Sequence, residues 1–316
     1  MMIPRTDPRR GRVMLRGELL DSGYTDKAIA RLVRGGEWVK IRHGAYVQAA
    51  QWGVLDQAGQ HALRARAVVL QARTPVAVSH ASALPFFDTP TWGLDLAHVH
   101  ITRLDGEAGR SDAGVRQHCG AVLAADVTLV DGLPILRPVR TALDITTVAA
   151  TEPSLAAMNA LLHSGHTTLD ELVAYYSGMA HWPWTLKTDV VLRLADPRIE
   201  SVGESRTFHL CFRHGLPTPV PQQEIRDESG RVVARVDFAW PELGVFVEFD
   251  GLVKYEKLLR PGQRASDVVV AEKRREELIC RLTGWRCIRL TWADLERPER
   301  TAAILHAALF PAARIA

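Results

Sequence analysis

The chain has 316 residues, 47% hydrophobic and 24% charged, with a net charge of +3; that length exceeds what one core usually serves, so at least two domains are expected. The composition excludes a disordered or fibrous chain, and no apolar run approaches the roughly 18 residues of a membrane span. The charge is too mild by itself to demand a nucleic-acid partner, although residues 1–50 hold ten Lys or Arg against five Asp or Glu.

The start, Met1-Met2-Ile3-Pro4-Arg5, lacks the apolar core of a signal peptide. Cys119, Cys211, Cys280 and Cys287 are scattered without a CxxC pair or a neighbouring His at zinc spacing, which argues against a disulfide framework and a structural zinc site. A cytoplasmic chain with no membrane association is expected.

Between Arg12 and Val47 the pattern reads helix, turn, helix, two-stranded ribbon. Leu15, Leu19 and Leu20 mark a first helical stripe that Asp21-Ser22-Gly23 stops. Thr25 caps a second helix with the apolar face Ala28, Ile29, Leu32 and Val33, and Gly35-Gly36 ends it. Lys27, Arg31 and Arg34 share its other face, a spacing that suits the phosphates of a DNA groove. Trp38–Arg42 alternates, His43-Gly44 turns and Ala45-Tyr46-Val47 returns, so Lys40 and Arg42 lie on a candidate wing. A solvated basic face is the bland reading of the same residues.

The stretch from Gly23-Tyr24-Thr25 to Arg42-His43-Gly44-Ala45-Tyr46-Val47 resembles the N-terminal winged-helix domain of AbiEi-type antitoxins. Val78–Leu84 and Gly132-Leu133-Pro134 through Asp144 look like the segments that follow it in that family. The resemblance covers about the first half of the chain and implies a DNA-binding transcriptional regulator.

Residues 75–145 read as mixed strands and loops. His98-Val99-His100 places two imidazoles on one strand face, but no third ligand is evident, and a structural role is the reading adopted. From Pro153 to Ala195 the periodicity is helical, with a helix start at Thr168-Leu169-Asp170-Glu171 and a break at Trp182-Pro183-Trp184. Residues 151–197 are expected to form a helical connector between domains spanning 1–70, 71–150 and 198–316.

The last third predicts a helix over Gly203–Arg213 ending at Gly215, then strands Val220–Arg226, Val232–Trp240 and Val245–Asp250. A basic helix Ala271–Leu282, a strand Trp285–Thr291 and a helix from Pro298 complete the order αβββαβα, that of the restriction-endonuclease-like core. Centring the second turn between Glu242 and Leu243 pairs Val236 with Phe249, Phe238 with Val247 and Trp240 with Val245, all apolar. The opposite face then sets Asp237 against Glu248 and Arg235 against Asp250. Like charges so opposed are destabilising unless neutralised, and a divalent cation with hard oxygen ligands would neutralise them. Glu204, on the preceding helix, is placed to hold a water or a second ion. A solvated sheet face balanced by Arg235 and nearby lysines is the alternative.

Arg235-Val236-Asp237-Phe238-Ala239-Trp240-Pro241, Val247-Glu248-Phe249-Asp250-Gly251 and Gly284-Trp285-Arg286-Cys287-Ile288-Arg289 together resemble the Vsr-like (very-short-patch-repair) endonucleases of the PD-(D/E)XK superfamily. The likeness runs from about residue 198 to the end. It implies an α/β (α+β) multidomain nuclease with Mg²⁺ or Mn²⁺ on Asp237 and Glu248, and Glu204 as the helical acid. The superfamily lysine falls at Asp250, which suits a metal or water ligand, so Lys254 or Lys273 must supply the cation. The expected function is a metal-dependent DNA endonuclease, acting alone or delivered by a repair or defence protein. The alternative is an AbiEi-like repressor or antitoxin with an inactive nuclease fold.

Overall fold

A computed structural model of the chain describes residues 7–107, 109, 111, 112, 114–179, 182, 185–251 and 265–311. The chain divides into two units, Met1–Ala195 and Asp196–Ala316. The protein is mixed α/β and multidomain, with three sheets among the described residues, and none of the described helices is long and apolar enough to cross a membrane.

The first unit opens with β1 (Met14–Leu15), α1 (Arg16–Asp21), α2 (Asp26–Arg34), β2 (Trp38–Arg42) and β3 (Ala45–Gln48). Thr25 Oγ1 accepts the Ala28 amide at 3.2 Å, satisfying a donor that the first turn of α2 leaves unpaired. Ile29 and Leu19 are buried against Tyr46, with Leu20, Val33 and Trp38 packed around them. Leu15 belongs to a strand and not to the first helical stripe: Met14 and Leu15 pair antiparallel with Tyr46 and Ala45, making a three-stranded sheet where a two-stranded ribbon was expected. Two apolar neighbours suit a strand edge as well as a helix start, and pairing with β3 decides between them. Gly44, at φ +69°, takes the left-handed conformation that the turn between β2 and β3 requires.

After α3 (Ala49–Gly53), α4 (Gln57–Leu70) serves two cores. Leu63 and Ala67 pack under the small sheet with Ala45 and Val47. Ala62, Ala65 and Val68 join the larger core built on β4 (Val76–Val78), β5 (Val99–Arg103), β6 (Ser111–Asp112), β7 (Val115–His118), β8 (Val127–Val130) and β9 (Leu133–Leu136). This sheet has the order β6-β7-β5-β4-β9-β8, with β5–β7 and β4–β9 parallel. The helices α5 (Pro138–Val148), α6 (Thr151–His163), α7 (Leu169–Ser177) and α8 (Leu186–Leu194) bring Leu143, Leu155, Met158, Leu161, Leu172 and Val191 into that same core. The helices α6, α7 and α8, which lie within the stretch 151–197 expected as a connector, therefore complete the sheet's hydrophobic cover. A helix with such a buried stripe cannot stand free in water. Thr168 caps α7, its hydroxyl accepting the Glu171 amide at 3.1 Å.

The second unit contains α9 (Val202–Arg213), β10 (Val220–Arg226), β11 (Val232–Trp240), β12 (Val245–Asp250), α10 (Ala265–Thr283), β13 (Arg286–Thr291), α11 (Trp292–Leu295) and α12 (Pro298–Leu309). The sheet runs β10-β11-β12-β13, antiparallel except for the parallel pair β12–β13. Phe238 pairs with Val247, Ala239 with Phe246 and Trp240 with Val245, in the register that the apolar alternation predicts. One face lies toward α9, where Phe208 and Phe238 have ring centroids 6.0 Å apart, and the other carries Phe246 and Ala239 in a core with Ile279 of α10. β12 is thus buried on both sides, as a central strand should be.

Candidate functional site

Three carboxylates approach one another in the second unit. Glu204 lies one turn into α9, behind an N-cap in which Ser201 Oγ accepts the Glu204 amide at 3.1 Å. Its own carboxylate accepts the Glu200 amide (3.0 Å), the Ser201 hydroxyl (2.7 Å) and the Gln222 amide group (2.8 Å). Gln222 sits at φ +53°, a left-handed conformation that a side chain makes costly, and that kink in β10 lets it reach Glu204. Burial raises the Glu204 pKa, hydrogen bonds from Glu200 and Ser201 oppose the shift, and the charge of Asp237 adds to it.

Asp237 and Glu248 follow in the hairpin, but regular pairing stops at Phe238 and Val247. The Phe249 amide donates to Asp237 Oδ2 at 2.7 Å. Glu248 is 9% exposed and does not face an unneutralised Asp237 alone, because Arg275 of α10 donates to Glu248 Oε1 at 2.6 Å. A second Arg275 nitrogen donates to the Arg235 carbonyl at 3.0 Å. Burial, then the neighbouring charge of Asp237, push the Glu248 carboxyl up to about 7, against the pull of Arg275 and Arg289.

The donor chemistry fits a hard divalent ion, since the acids sit where a cation would relieve their repulsion. Their spacing is looser than a closed cage: among the described residues, the set of three His, Cys, Asp or Glu ligand atoms within 4.8 Å of one another is His80, His100 and His118.

The remaining predicted acids and cations fall apart from this arrangement or outside it. Asp250 is half-buried at the end of β12, in register with Thr291, and Arg235, expected opposite Asp250, forms its ion pair with Glu200 at 2.8 Å. Lys254 lies outside the described residues. Lys273 is exposed on α10, and Arg275 two residues later donates to Glu248. Arg289, which stands beside Glu248 in the β12–β13 register, pairs with Glu272 and Glu276 of α10. Sequence spacing does not show the Arg275 contact, because α10 meets the sheet only in three dimensions.

The raised Glu248 pKa gives a directional expectation. The folded state holds a proton that the unfolded chain releases across pH 4.5 to about 7, so in EDTA the second unit loses stability as pH rises through that window. The loss is about 3 kcal/mol at most. Urea unfolding at pH 5 and pH 8 checks this: Glu248→Gln is expected to flatten the dependence and to exceed the parent in stability at pH 8. An unchanged slope in the variant would place the proton elsewhere.

On the basic helix of the first unit, Lys27, Arg31 and Arg34 are exposed, as is Lys40 on β2. Arg42 is not free on the hairpin, since its Nε donates to Gln71 Oε1 at 3.0 Å at the end of α4.

A second constellation was missed in the sequence. His98 precedes the strand, half-buried, with Nδ1 3.3 Å from Asp95 Oδ2, so it does not share a strand face with His100. His100 instead faces His118 of β7, with Nδ1 and Nε2 2.9 Å apart. His80 stacks on His118 with centroids 3.7 Å apart, and its Nδ1 is 2.9 Å from Ser79 Oγ. Burial, then neighbouring imidazoles and Arg116, push His100 down to about 3; burial and Arg116 push His118 down to about 4, so the rings are neutral. Beside them lies a cavity of about 450 Å³ lined by His80, His118, Arg140, Asp144 and Trp182 among others. Arg140 donates to Asp144 Oδ1 at 2.8 Å, lies 3.6 Å from Asp126 and covers the Trp182 ring at 4.1 Å. The signal that went unused was His80 and His118 standing near His100 in the β4–β7 region.

No protein-family model matches the chain. It is similar to an uncharacterized protein of Mycobacterium tuberculosis, found in strains CDC 1551 and H37Rv, with 28% identity over 273 residues, 86% of this chain and 92% of that protein. A match of that length is longer than either unit, so it extends into both.

Proposed function

We propose that the protein is a Mg²⁺- or Mn²⁺-dependent DNA endonuclease whose second unit is a restriction-endonuclease-like core and whose first helices and small sheet act as a winged helix gripping duplex DNA. The observation that carries this reading is the approach of Glu204, Asp237 and Glu248 in a unit of order α9-β10-β11-β12-α10-β13, with Glu248 shifted toward neutrality by burial and then by the charge of Asp237. The bound ion would polarise the scissile phosphate and lower the pKa of its water. Asp237 and Glu248 would hold it. Glu204, already fixed by three hydrogen bonds, orients water beside them. Arg275 supplies the positive charge near the phosphate that the superfamily draws from lysine, with Lys254 and Lys273 as the rival candidates.

The test is incubation of the full chain with supercoiled, nicked, mismatched and single-stranded DNA in Mg²⁺, Mn²⁺ or EDTA. Cutting that depends on the metal supports the reading; binding without cutting under every condition overturns it. The second outcome would favour an AbiEi-like repressor with an inactive core, a reading to which the Arg275–Glu248 ion pair lends weight because a guanidinium then stands in for the ion.

For either reading the first unit should meet DNA through α2. Replacing Lys27, Arg31 and Arg34 together with Ala is expected to weaken duplex binding and to lower the log–log salt slope by as much as about 2.7, since each phosphate contact contributes about 0.9. Filter binding across a salt series measures it, and an unchanged slope would turn that face to solvent.

A further inference from the structure

The imidazole cluster belongs to the first unit, whereas the carboxylates belong to the second, and it owes nothing to the nuclease reading. We propose that His80, His100 and His118 bind a zinc-class divalent transition-metal ion, with a remaining coordination position open to the adjoining cavity.

The ligands come from three places that the sheet brings together. His80 follows β4, His100 is on β5, and His118 closes β7, which pairs parallel with β5 so that Thr102 stands opposite His118. One ring nitrogen from each lies within 4.8 Å of the other two, and the closest pair is 2.9 Å apart. A tetrahedral zinc ion with Zn–N distances of about 2.0–2.1 Å needs ligand nitrogens about 3.3 Å apart. The closest pair has only to open by a few tenths of an ångström, and the widest to close by a side-chain rotation.

Three nitrogen donors select the metal. Imidazole suits zinc, nickel, cobalt and copper, whereas magnesium and calcium take oxygen. Ser79 Oγ, 2.9 Å from His80 Nδ1, gives the kind of outer hydrogen bond that orients a ligating ring. His80 is also held at φ +51°, a strained conformation that keeps its ring over His118.

Nearby His61 shows how a purely structural histidine differs. Its two nitrogens are taken by Leu96 O at 3.0 Å and Ser82 Oγ at 2.7 Å. The three proposed ligands turn their rings toward one another. The cavity wall adds an independent sign of an occupant: Asp144 Oδ2 and Thr102 Oγ1 are buried without a hydrogen-bond partner, and both residues line it. Unsatisfied buried oxygens are costly and call for a polar guest such as a metal-bound water.

The test uses the full chain stripped with EDTA and carrying Asp237→Asn and Glu248→Gln, so that ions cannot be held at the carboxylates. Calorimetric titration is expected to show one Zn²⁺ per chain, and Co²⁺ to give the intense visible bands of a tetrahedral site. His100→Gln and His118→Gln should each weaken Zn²⁺ binding by about a hundredfold or more, while His98→Gln leaves it unchanged. Absence of binding, or affinity kept within about threefold in both ligand variants, overturns the site. Should those variants fail to fold, diethyl pyrocarbonate labelling of the soluble starting protein decides: Zn²⁺ must protect His118 and spare His98. Equal labelling of His118 with and without Zn²⁺ overturns the proposal.

Discussion

Asp237→Asn and Glu248→Gln are each expected to lower metal-dependent cleavage by roughly a thousandfold, about 4 kcal/mol of barrier, while duplex binding survives. Each substitution removes a ligand charge and keeps the side chain's shape, so the effect falls on the ion and not on the sheet. The two differ in their surroundings. Asp237 Oδ2 accepts the Phe249 amide, and an Asn can still accept there through its carbonyl, so folding should be spared. Glu248 loses a charged partner for Arg275, but its own burial already favours a neutral group, so Gln is tolerated. Single-turnover cleavage of a labelled duplex, beside a gel-shift measurement, separates the two effects. Parental rates in either variant would remove the carboxylates from the chemistry.

The second large effect concerns Arg140, whose side chain is 3% exposed between Asp144 and Asp126. Arg140→Met should destabilise the first unit by about 3–5 kcal/mol, the usual cost of leaving a buried charge without its partner. Asp144 is held up to about 6, chiefly by burial and against the pull of Arg140. Without the guanidinium its pKa rises further, so the loss should be smaller at pH 5, where the carboxyl takes a proton, than at pH 8. Urea unfolding gives the magnitude, and hydrogen exchange over α5 and α7 places it. Adding Asp144→Leu to Arg140→Met should recover much of the loss. A single variant within about 1 kcal/mol of the parent would mean that the pair is strained rather than stabilising.

Much of the second unit was readable from residue order. Phe238 and Trp240 stand opposite Val247 and Val245, the register that the apolar alternation predicts. Gly215 and Gly284 marked helix ends by their left-handed backbone, at φ +66° and +69°. Arg275 and Arg289 were not readable, because their partners (Glu248 for Arg275, Glu272 and Glu276 for Arg289) lie on other elements and nothing local distinguishes them from solvated cations. The same holds for His80, His100 and His118: periodicity reports which face a residue occupies, while the parallel pairing of β5 with β7 decides what it meets. The buried helices α6 and α8 looked like a connector because their apolar stripes say only that something covers them.

The parallel pairing of β12 with β13 has a consequence for how the second unit forms. β10, β11 and β12 meet through short turns, whereas β13 reaches β12 only across residues 251–285. Contacts between distant segments require more loop closure and form later. Arg275 belongs to that late-arriving stretch, while Asp237 and Glu248 are brought near each other by the early meander. During refolding the acids therefore meet before their cation arrives. The early meander is held back by their repulsion at alkaline pH and relieved of it when Glu248 carries a proton, so refolding of this unit is slower in alkaline than in mildly acidic buffer.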